Sequence, residues 1–304
     1  MFSVSAIITT YNRAQFLAET IEAVLAQTLR PMEIIVVDDG STDETAELLA
    51  KYPVRAHRIS NMGPSAARAA GLALARGDWI AFCDDDDLWK PGYIEAMSRH
   101  LGGGVRFGFA NFVEIHDGVW GTRDKFSLAP PGYFESIGDS FYPHLLRWVP
   151  QVPSTTIIAA SLLREVGGVD PSFGRGWCED WELELRCVQQ GRIAFINEPL
   201  VGIRRHAYNM TANRLALLLG NIRVLDMARN RHPAAARYAE VLEERLADNC
   251  IEAVDEAFST GRTDLVRDLA RRVPAVRRSW RLRAKRAICT ARVPGALLRR
   301  LFGH

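Results

Sequence analysis

The sequence predicts an α/β protein with a mostly parallel sheet flanked by helices, followed by a helical C-terminal extension. Short apolar runs alternate with amphipathic segments over residues 4–82. Strands that alternate with helices in this way are typical of a parallel sheet with right-handed crossovers. From about residue 215 onward, apolar residues keep helical spacing. The 304 residues, of which 48% are hydrophobic, suffice for one large domain over 1–214 and a helical region over 215–304.

The first half of the predicted sheet comes from four apolar runs, each of which is linked to the next by a helix. Asn12 and Gln15 have the spacing of a capping box, which predicts a helix start at Asn12. Ser41 and Glu44 repeat that spacing before the second helix. Pro64 suits the first position of the third helix. The four predicted strands cover residues 4–8, 33–37, 55–59 and 79–82.

The pattern is weaker between residues 102 and 153, where aromatic residues are scattered among Gly and Pro. One strand is predicted at 107–115, and we interpret most of the aromatic residues as core and loop anchors. Further strands are predicted at 154–159 and 193–196, on either side of a helix that spans 181–190. Asp180 falls at the N-terminus of that helix, where the helix dipole favours a carboxylate, so capping alone would explain it.

Polar clusters occupy residues 9–12, 38–40 and 84–87, where three predicted strands end. The carboxyl ends of parallel strands share one edge of a sheet, and ligands bind at that edge. The cluster from Asp84 to Asp87 has four consecutive carboxylates, which raise one another's pKa unless a cation lies against them. Oxygen donors of this kind suit Mg²⁺ or Mn²⁺. A solvated acidic turn would explain the charges but not their place directly after a buried strand, so we predict a metal–phosphate site.

Several classes of protein are excluded or disfavoured. The first strand–helix turn lacks the glycine fingerprint of a dinucleotide site. The five cysteines form no CxxC pair and no zinc-like cluster, which favours free thiols in a reducing compartment. The sequence shows neither a signal-peptide pattern nor an apolar run that would span a bilayer. We therefore expect a cytoplasmic protein, or one that is peripheral on the cytosolic face of a membrane.

Six segments over residues 1 to about 210 resemble, in this order, the motifs of the inverting GT-A glycosyltransferases of family 2. Each segment is a weak signal alone, but the ordered set is specific. The resemblance implies the GT-A fold and transfer of a sugar from a UDP- or dTDP-linked donor to a glycan or lipid-linked acceptor, in surface polysaccharide or glycoconjugate synthesis. Ala69 departs from the Asn that many relatives have at this position. The segments are 9–13, 36–43, 61–68, 77–87, 167–170, and 179–181 with Arg186.

The same resemblance assigns five residues to the nucleotide. Thr9 and Tyr11 would hold the nucleobase, Tyr11 by stacking. Asp39 would accept a hydrogen bond from the imide of uracil or thymine. Arg68 would lie near the base or the diphosphate, and Asp85 would reach the ribose.

The resemblance also assigns the metal and the base. Asp84 and Asp86 are the outer carboxylates of the D-x-D motif, with Asp86 as the direct ligand of Mn²⁺ or Mg²⁺. A divalent cation would stabilise the charge that grows on the leaving diphosphate. His206 would reach the metal or the diphosphate, although a lone His is more often structural. Asp180, with Glu179 as helper, would remove the proton of the acceptor hydroxyl, and an in-line displacement would invert the anomeric centre.

Two other functions compete with this prediction. A nucleotidyltransferase also uses an α/β sheet and Mg²⁺, but the segment 9–12 lacks the expected glycine-rich basic phosphate loop. A non-catalytic module that binds nucleotide sugars would not need both Asp86 and Asp180.

The last 34 residues are strongly basic. Residues 271–304 hold 11 of the 38 Lys and Arg and no Asp or Glu, which leaves 27 basic against 36 acidic residues in the rest of the chain. A nucleic-acid arm, a packed helix with a solvated basic face, and an amphipathic helix on an anionic membrane all fit this composition. The membrane interpretation alone uses both the charge and the large apolar residues, so we predict peripheral membrane binding through this tail and no binding of nucleic acid. These apolar residues are Trp280, Leu297, Leu298, Leu301 and Phe302.

Overall fold

The computed structural model describes residues 2–125, 132–147, 152–176, 178–206 and 213–290. It divides into two compact units, Met1–Asn209 and Met210–His304. The sequence places a boundary close by, after residue 214, and the assignment of the two parts to a catalytic domain and a basic tail region stays a prediction.

The first unit is built on one mixed sheet of ten strands. The strands are β1 (Val4–Thr10), β2 (Glu33–Asp38), β3 (Arg55–Arg58), β4 (Trp79–Asp84), β5 (Leu88–Trp89), β6 (Val105–His116), β7 (Val119–Asp124), β8 (Gly132–Ile137), β9 (Thr156–Ala159) and β10 (Arg192–Arg205). The main path runs β3-β2-β1-β4-β9-β6-β10-β5, while β7 pairs with β6 and β8 pairs with β10. The first four strands are all parallel, whereas β9 is antiparallel to both of its neighbours. The predicted α/β class with helices around a sheet is confirmed.

Helices cover the sheet and bury its apolar residues. Leu17, Ile21 and Val24 of α1 belong to the same buried cluster as residues of β1 and β4. Helix α3 packs so closely on β1 that a Cβ atom at Gly71 would lie 2.5 Å from Cγ2 of Ile7, so this position requires glycine. The helices of the first unit are α1 (Ala14–Leu25), α2 (Thr45–Leu49), α3 (Pro64–Leu74), α4 (Tyr93–Ser98), α5 (Tyr142–Arg147), α6 (Ala160–Glu165) and α7 (Glu179–Cys187).

The strand register brings the polar clusters of the sequence to one edge. Thr9 lies opposite Asp84, and Thr10 lies opposite Asp38. The carboxyl ends of β1, β2 and β4 therefore meet, so Asp84 at the end of β4 and the three aspartates after it lie beside the loops that follow β1 and β2.

The capping box expected at Asn12 and Gln15 is wrong. Asn12 has a left-handed backbone, with φ of 52°. Its Oδ1 accepts a hydrogen bond from the backbone N–H of Thr42 at 2.7 Å. The N-terminus of α1 is instead capped from the neighbouring loop, because the backbone N–H of Ala14 donates to Asp43 Oδ2 at 3.1 Å.

The second expected capping box, at Ser41 and Glu44, is also wrong. The hydroxyl oxygen of Ser41 accepts a hydrogen bond from the backbone N–H of Asn12 at 2.9 Å. Glu44 precedes α2 without a side-chain cap, and Asp43 Oδ1 accepts from the backbone N–H of Thr45 at 3.2 Å. The loops after β1 and β2 thus bond to each other through Asn12, Ser41 and Asp43, which fixes their relative position at the sheet edge.

The second unit is helical, with α8 (Arg214–Arg231), α9 (Ala239–Ser259), α10 (Thr263–Arg272) and α11 (Trp280–Thr290). Each of these helices packs against the next along the chain. No helix in the described part of the chain is long and apolar enough to cross a membrane. Part of the predicted membrane-binding tail lies outside the described residues, namely Arg292, Leu297, Leu298, Arg299, Arg300, Leu301 and Phe302.

Candidate functional site

The loop 84–87 after β4, here called the aspartate loop, is fixed by its backbone. Oγ1 of Thr20 on α1 lies 2.9 Å from the carbonyl oxygen of Asp85 and 3.0 Å from that of Asp87. The side chains of Asp85, Asp86 and Asp87 are buried. Three buried carboxylates in sequence need partners, because an unpaired buried charge is strongly destabilising.

The carboxylate of Asp87 is used within the protein. Its Oδ2 accepts from the hydroxyl of Ser154 at 2.5 Å, and its Oδ1 accepts from the backbone N–H of Arg204 at 3.2 Å. The Ser154 hydroxyl oxygen also accepts from the backbone N–H of Asp84 at 2.9 Å. Burial raises the pKa of Asp87 well above its usual range, and the charges of Asp86 and Asp84 raise it further. Asp87 therefore anchors the loop to β10 and to the segment before β9.

Arg13 and His206 contact the middle of the aspartate loop. Nη1 of Arg13 lies 3.1 Å from Asp85 Oδ1 and 2.5 Å from Asp86 Oδ2. Nε2 of His206 lies 3.0 Å from the same Asp86 oxygen, and its ring stacks on Phe16 with centroids 4.5 Å apart. Burial raises the pKa of Asp85 to about 7, with Arg13 lowering it and Asp86 raising it.

Arg68 connects the aspartate loop to helix α7. Its Nη2 lies 2.6 Å from Asp84 Oδ1, and its Nη1 forms a close ion pair with Glu179 Oε1. The Arg68 side chain is only 11% exposed and that of Glu179 5%. Burial raises the pKa of Glu179 to about 7; Arg68 opposes that rise, and the charge of Asp180 adds to it. The guanidinium thus lies between two carboxylates that are 95 residues apart in sequence.

Helix α7 presents Asp180 at its first turn. The residue is half-buried, and its Oδ1 accepts from the backbone N–H of Trp181 at 2.8 Å. Burial raises its pKa, while Arg68 lowers it. The helix is held firmly, since the Trp181 indole N–H donates to the carbonyl of Leu145 at 2.9 Å and Arg186 donates to the carbonyl of Gly168 at 2.8 Å.

The residues assigned to the nucleobase lie on the same sheet edge. Thr9 is half-buried near the end of β1, and Tyr11 follows that strand with 43% of its surface exposed. Asp39 is buried, and its two carboxylate oxygens accept from the backbone N–H groups of Met62 at 2.6 Å and Gly63 at 2.7 Å. Each carboxylate oxygen has a second lone pair, so Asp39 keeps capacity to accept from a ligand.

The loop at 61–65 is packed against the segment that leads into α7. Gly63 has φ of 97°, and a Cβ atom there would lie 2.1 Å from the carbonyl oxygen of Gly174. The hydroxyl of Ser65 donates to that same oxygen at 3.1 Å, and Arg175 donates to the carbonyl of Asn61 at 3.2 Å. Only glycine fits at residue 63, so the position of this loop depends on the segment before α7.

Ion pairs bring together six of the ten residues assigned from the sequence. Arg13 joins Asp85 to Asp86, which contacts His206, and Arg68 joins Asp84 to Glu179. Asp180 is next to Glu179 on α7. In the described ranges, no side-chain hydrogen bond or ion pair links Thr9, Tyr11 or Asp39 to this group, although Thr9 lies opposite Asp84 in the sheet. The sequence assignments omitted the loop anchors Arg13, Thr20, Ser154 and Arg204, of which Arg13 alone lies in a motif.

The donor set suits a divalent cation. The aspartate loop and the start of α7 supply six carboxylates, against the guanidinium groups of Arg13, Arg68 and Arg204. Carboxylate and imidazole donors are ligands of Mn²⁺, and Mg²⁺ is commonly held by one or two carboxylates together with substrate phosphates. Among the residues that the structure describes, no three His, Cys, Asp or Glu side chains form a preassembled metal cage. The residues therefore fit a cation that shares its coordination with a bound diphosphate.

The sequence matches known glycosyltransferases. Residues 5–154 match the model of glycosyl transferase family 2. The chain is 32% identical over 197 residues to the uncharacterized glycosyltransferase YwdF of Bacillus subtilis, covering 62% of this chain and 69% of that one. It is 30% identical over 212 residues to the uncharacterized glycosyltransferase alr2836 of Nostoc, covering 68% of this chain and 66% of that one. A Rickettsia felis glycosyltransferase is 33% identical over 171 residues, 53% of this chain, which span only 27% of its own length.

The fold is similar to that of a solved glycosyltransferase structure. The structure of Staphylococcus aureus TarS 1–349 in complex with UDP-GlcNAc matches 98% of this chain and 88% of its own, with a TM-score of 0.68 and 16% identity. A TarS 1–349 complex with UDP gives a TM-score of 0.63 at 17% identity. At this level of identity the comparison shows a shared fold.

Proposed function

The chain belongs to glycosyltransferase family 2, and we propose that it is a metal-dependent inverting enzyme that moves a sugar from a UDP- or dTDP-linked donor to a glycan or lipid-linked acceptor. The observation that supports this most is the bridge formed by Arg68. It ties Asp84 of the aspartate loop to Glu179 of α7, so carboxylates suited to the donor and to the acceptor share one edge of the sheet. The TarS complex with UDP-GlcNAc supports a UDP-linked sugar as donor.

On the donor side, we assign Asp86, with Asp84 and His206, to hold Mn²⁺ or Mg²⁺. The bound cation would supply positive charge to the leaving diphosphate. Arg13 pairs with both Asp85 and Asp86, which offsets their charge and helps to hold the loop in place. Asp85 would then reach the ribose of the nucleotide.

The nucleobase would lie at the ends of β1 and β2. Tyr11 offers an exposed ring for stacking, and Thr9 lies two residues before it in the same segment. The remaining lone pairs of Asp39 would accept the imide N–H of uracil or thymine.

On the acceptor side, we assign Asp180 as the general base. Glu179 is engaged by Arg68, so it serves better to orient the pair than to accept a proton. Asp180 has no ion pair among the described residues. Its pKa is raised toward the pH at which the enzyme works, which favours a role as general base. An acceptor hydroxyl that gives its proton to Asp180 would attack opposite to the diphosphate and invert the anomeric centre.

We also propose that the enzyme works in the cytoplasm, attached peripherally to the cytosolic face of a membrane through residues 271–304, in surface polysaccharide or glycoconjugate synthesis. The five cysteines are all free thiols, which is typical of a reducing compartment. The surplus of basic residues in this segment fits an anionic lipid surface.

Calorimetric titration of UDP with and without Mn²⁺, beside a donor-hydrolysis assay, tests the proposed activity. We expect UDP to bind more tightly with Mn²⁺, and UDP-sugar to be hydrolysed slowly without acceptor. Binding without hydrolysis would favour a non-catalytic module. If UDP does not bind and UDP-sugar is not hydrolysed, the assignment of the site is contradicted. A thermal-shift screen of nucleotide sugars with Mn²⁺ would then identify the donor, because a ligand of the folded state raises its stability.

A further inference from the structure

The second unit contains a cavity of about 660 Å³ with arginines on its wall. It lies where the chain turns from α10 into α11. Its lining combines small or apolar side chains with three guanidinium groups. The lining residues are Ala270, Ala275, Arg278, Leu282, Arg283, Arg286 and Ala287.

Two of the three arginines on the cavity wall have no acidic partner among the described residues. The guanidinium of Arg278 donates to the carbonyls of Val273 at 2.7 Å and Arg271 at 3.1 Å, which leaves its charge in place. Within the described ranges no carboxylate forms an ion pair with Arg278 or Arg283. Other basic residues of this segment do have acidic partners, in the pairs Arg272–Asp226, Arg277–Asp248 and Lys285–Asp255. Two positive charges without an acidic partner, those of Arg278 and Arg283, therefore lie on the cavity wall.

Two large apolar side chains next to the cavity residues are exposed. Val276 is 93% exposed and Trp280 is 75% exposed, whereas the neighbouring Leu282 is buried. The guanidinium of Arg281 lies over the Trp280 ring, 5.6 Å from its centroid. Tryptophan beside basic residues is typical of helices that lie in the interface of a membrane, where the ring sits at the level of the headgroups.

We propose that this cavity binds the phosphate group of an anionic phospholipid while Val276 and Trp280 enter the lipid interface. The arginines match the charge of the headgroup, and the small apolar side chains between them suit the carbon chains next to it. The exposed Val276 would gain nothing from a nucleic acid, whose contacts are mostly with charged phosphates. This inference rests on the proposed membrane attachment, and it does not depend on the transfer reaction.

The test is co-sedimentation of the full chain with vesicles of phosphatidylcholine alone and of phosphatidylcholine mixed with phosphatidylglycerol. The double variant Arg278→Gln/Arg283→Gln should lower the partition coefficient on anionic vesicles roughly 30-fold, at about 5-fold for each basic residue near the surface. Arg283→Gln alone, at an exposed position, should lower it about 5-fold, which guards against misfolding of the double variant. Arg262→Gln/Arg271→Gln removes the same charge from arginines paired with Asp264 and Asp268, and should have much less effect.

The exposed ring provides a second readout. Trp280→Ser should weaken binding about tenfold, on the scale of burying one large apolar side chain. Vesicles that contain brominated lipid should quench the fluorescence of the natural protein and quench Trp280→Phe much less. Equal loss in the two arginine double variants, or equal quenching with and without Trp280, would overturn the proposed site.

Two further arms separate the possible failures. If removal of residues 271–304 abolishes pelleting but the Arg278→Gln/Arg283→Gln variant pellets normally, the tail binds membranes without this cavity and the present inference is wrong. If the full chain pellets with neither kind of vesicle, the membrane attachment itself fails. Inorganic phosphate that displaces the protein completely, with no effect of Trp280→Ser, would show a site for free phosphate and would also overturn the inference.

Discussion

Replacing Arg68 by Gln should destabilise the protein in a way that depends on pH. The change removes a buried cation and leaves Glu179, on α7, without its partner. Breaking one side of a buried ion pair typically costs about 3–5 kcal/mol. That cost applies only while the remaining carboxylate is charged, and a buried carboxylate avoids it by taking up a proton.

The sign of the pH effect follows from the pKa of Glu179, which burial raises to about 7 in the natural protein. A folded state that holds a proton the unfolded chain has lost becomes less stable as pH rises, by up to about 1.4 kcal/mol per pH unit. In the natural protein this fall in stability should end near pH 7, because the folded state then loses the proton of Glu179 as well. In Arg68→Gln the pKa of Glu179 rises further, since Arg68 no longer lowers it, and stability should continue to fall above pH 7. The difference between the two proteins should therefore be larger at pH 8 than at pH 6, in addition to the loss of the Arg68–Asp84 ion pair at either pH.

Urea denaturation at pH 6, 7 and 8 in the presence of EDTA measures this directly. The matched control is the double variant Arg68→Gln/Glu179→Gln, which lacks the titrating carboxyl and should regain stability at pH 8 relative to Arg68→Gln. An Arg68→Gln protein that loses the same free energy of unfolding at pH 6 and pH 8, or a double variant that is no better, would refute the bridging role of Arg68.

Three further predictions concern the aspartate loop and the loop at 61–65. Asp86→Asn should remove most activity, as should excess EDTA in the natural enzyme; full turnover in EDTA would exclude the metal assignment. Asp87→Asn should lose less activity and show its effect in the melting temperature, because its carboxylate is engaged by Ser154; an activity loss equal to that of Asp86→Asn would contradict this. Gly63→Ala should lower stability by about 3 kcal/mol or more and weaken UDP binding, whereas Gly118→Ala, with φ of 78° and open space around it, should cost about 1 kcal/mol and leave UDP affinity unchanged. Equal effects of the two glycine changes would show that backbone strain alone, without the close contact to Gly174, accounts for the loss.

The sheet and the place of the acidic run could be predicted from the sequence because both depend on local patterns. Buried parallel strands appear as continuous apolar runs, so β1, β2 and β4 were predicted within two residues of their bounds. The polar residues that follow these strands are then brought together by the sheet itself.

The contacts that hold the site could not be predicted in this way, because their partners are distant in sequence. Thr20 binds the aspartate loop from 65 residues away, and Arg68 reaches Glu179 across 111 residues. The capping box predicted at Asn12 and Gln15 was wrong for the same reason. The local spacing to Gln15 is correct for a cap, but a long-range bond to Thr42 is made instead. The resemblance assigns Arg68 to the nucleotide, and the two ion pairs of Arg68 with Asp84 and Glu179 could not be predicted from it.

The central claim is that Asp180 is the base of a nucleotide-sugar transfer. It is tested most directly by the rate of UDP-sugar turnover and the UDP affinity of Asp180→Asn, both measured with Mn²⁺. We predict a rate lower by about 10²–10⁴-fold, the usual effect of losing a general base, with UDP affinity nearly unchanged. A variant that binds UDP much more weakly but turns over at the natural rate would contradict the assignment and would show that Asp180 serves binding or helix capping.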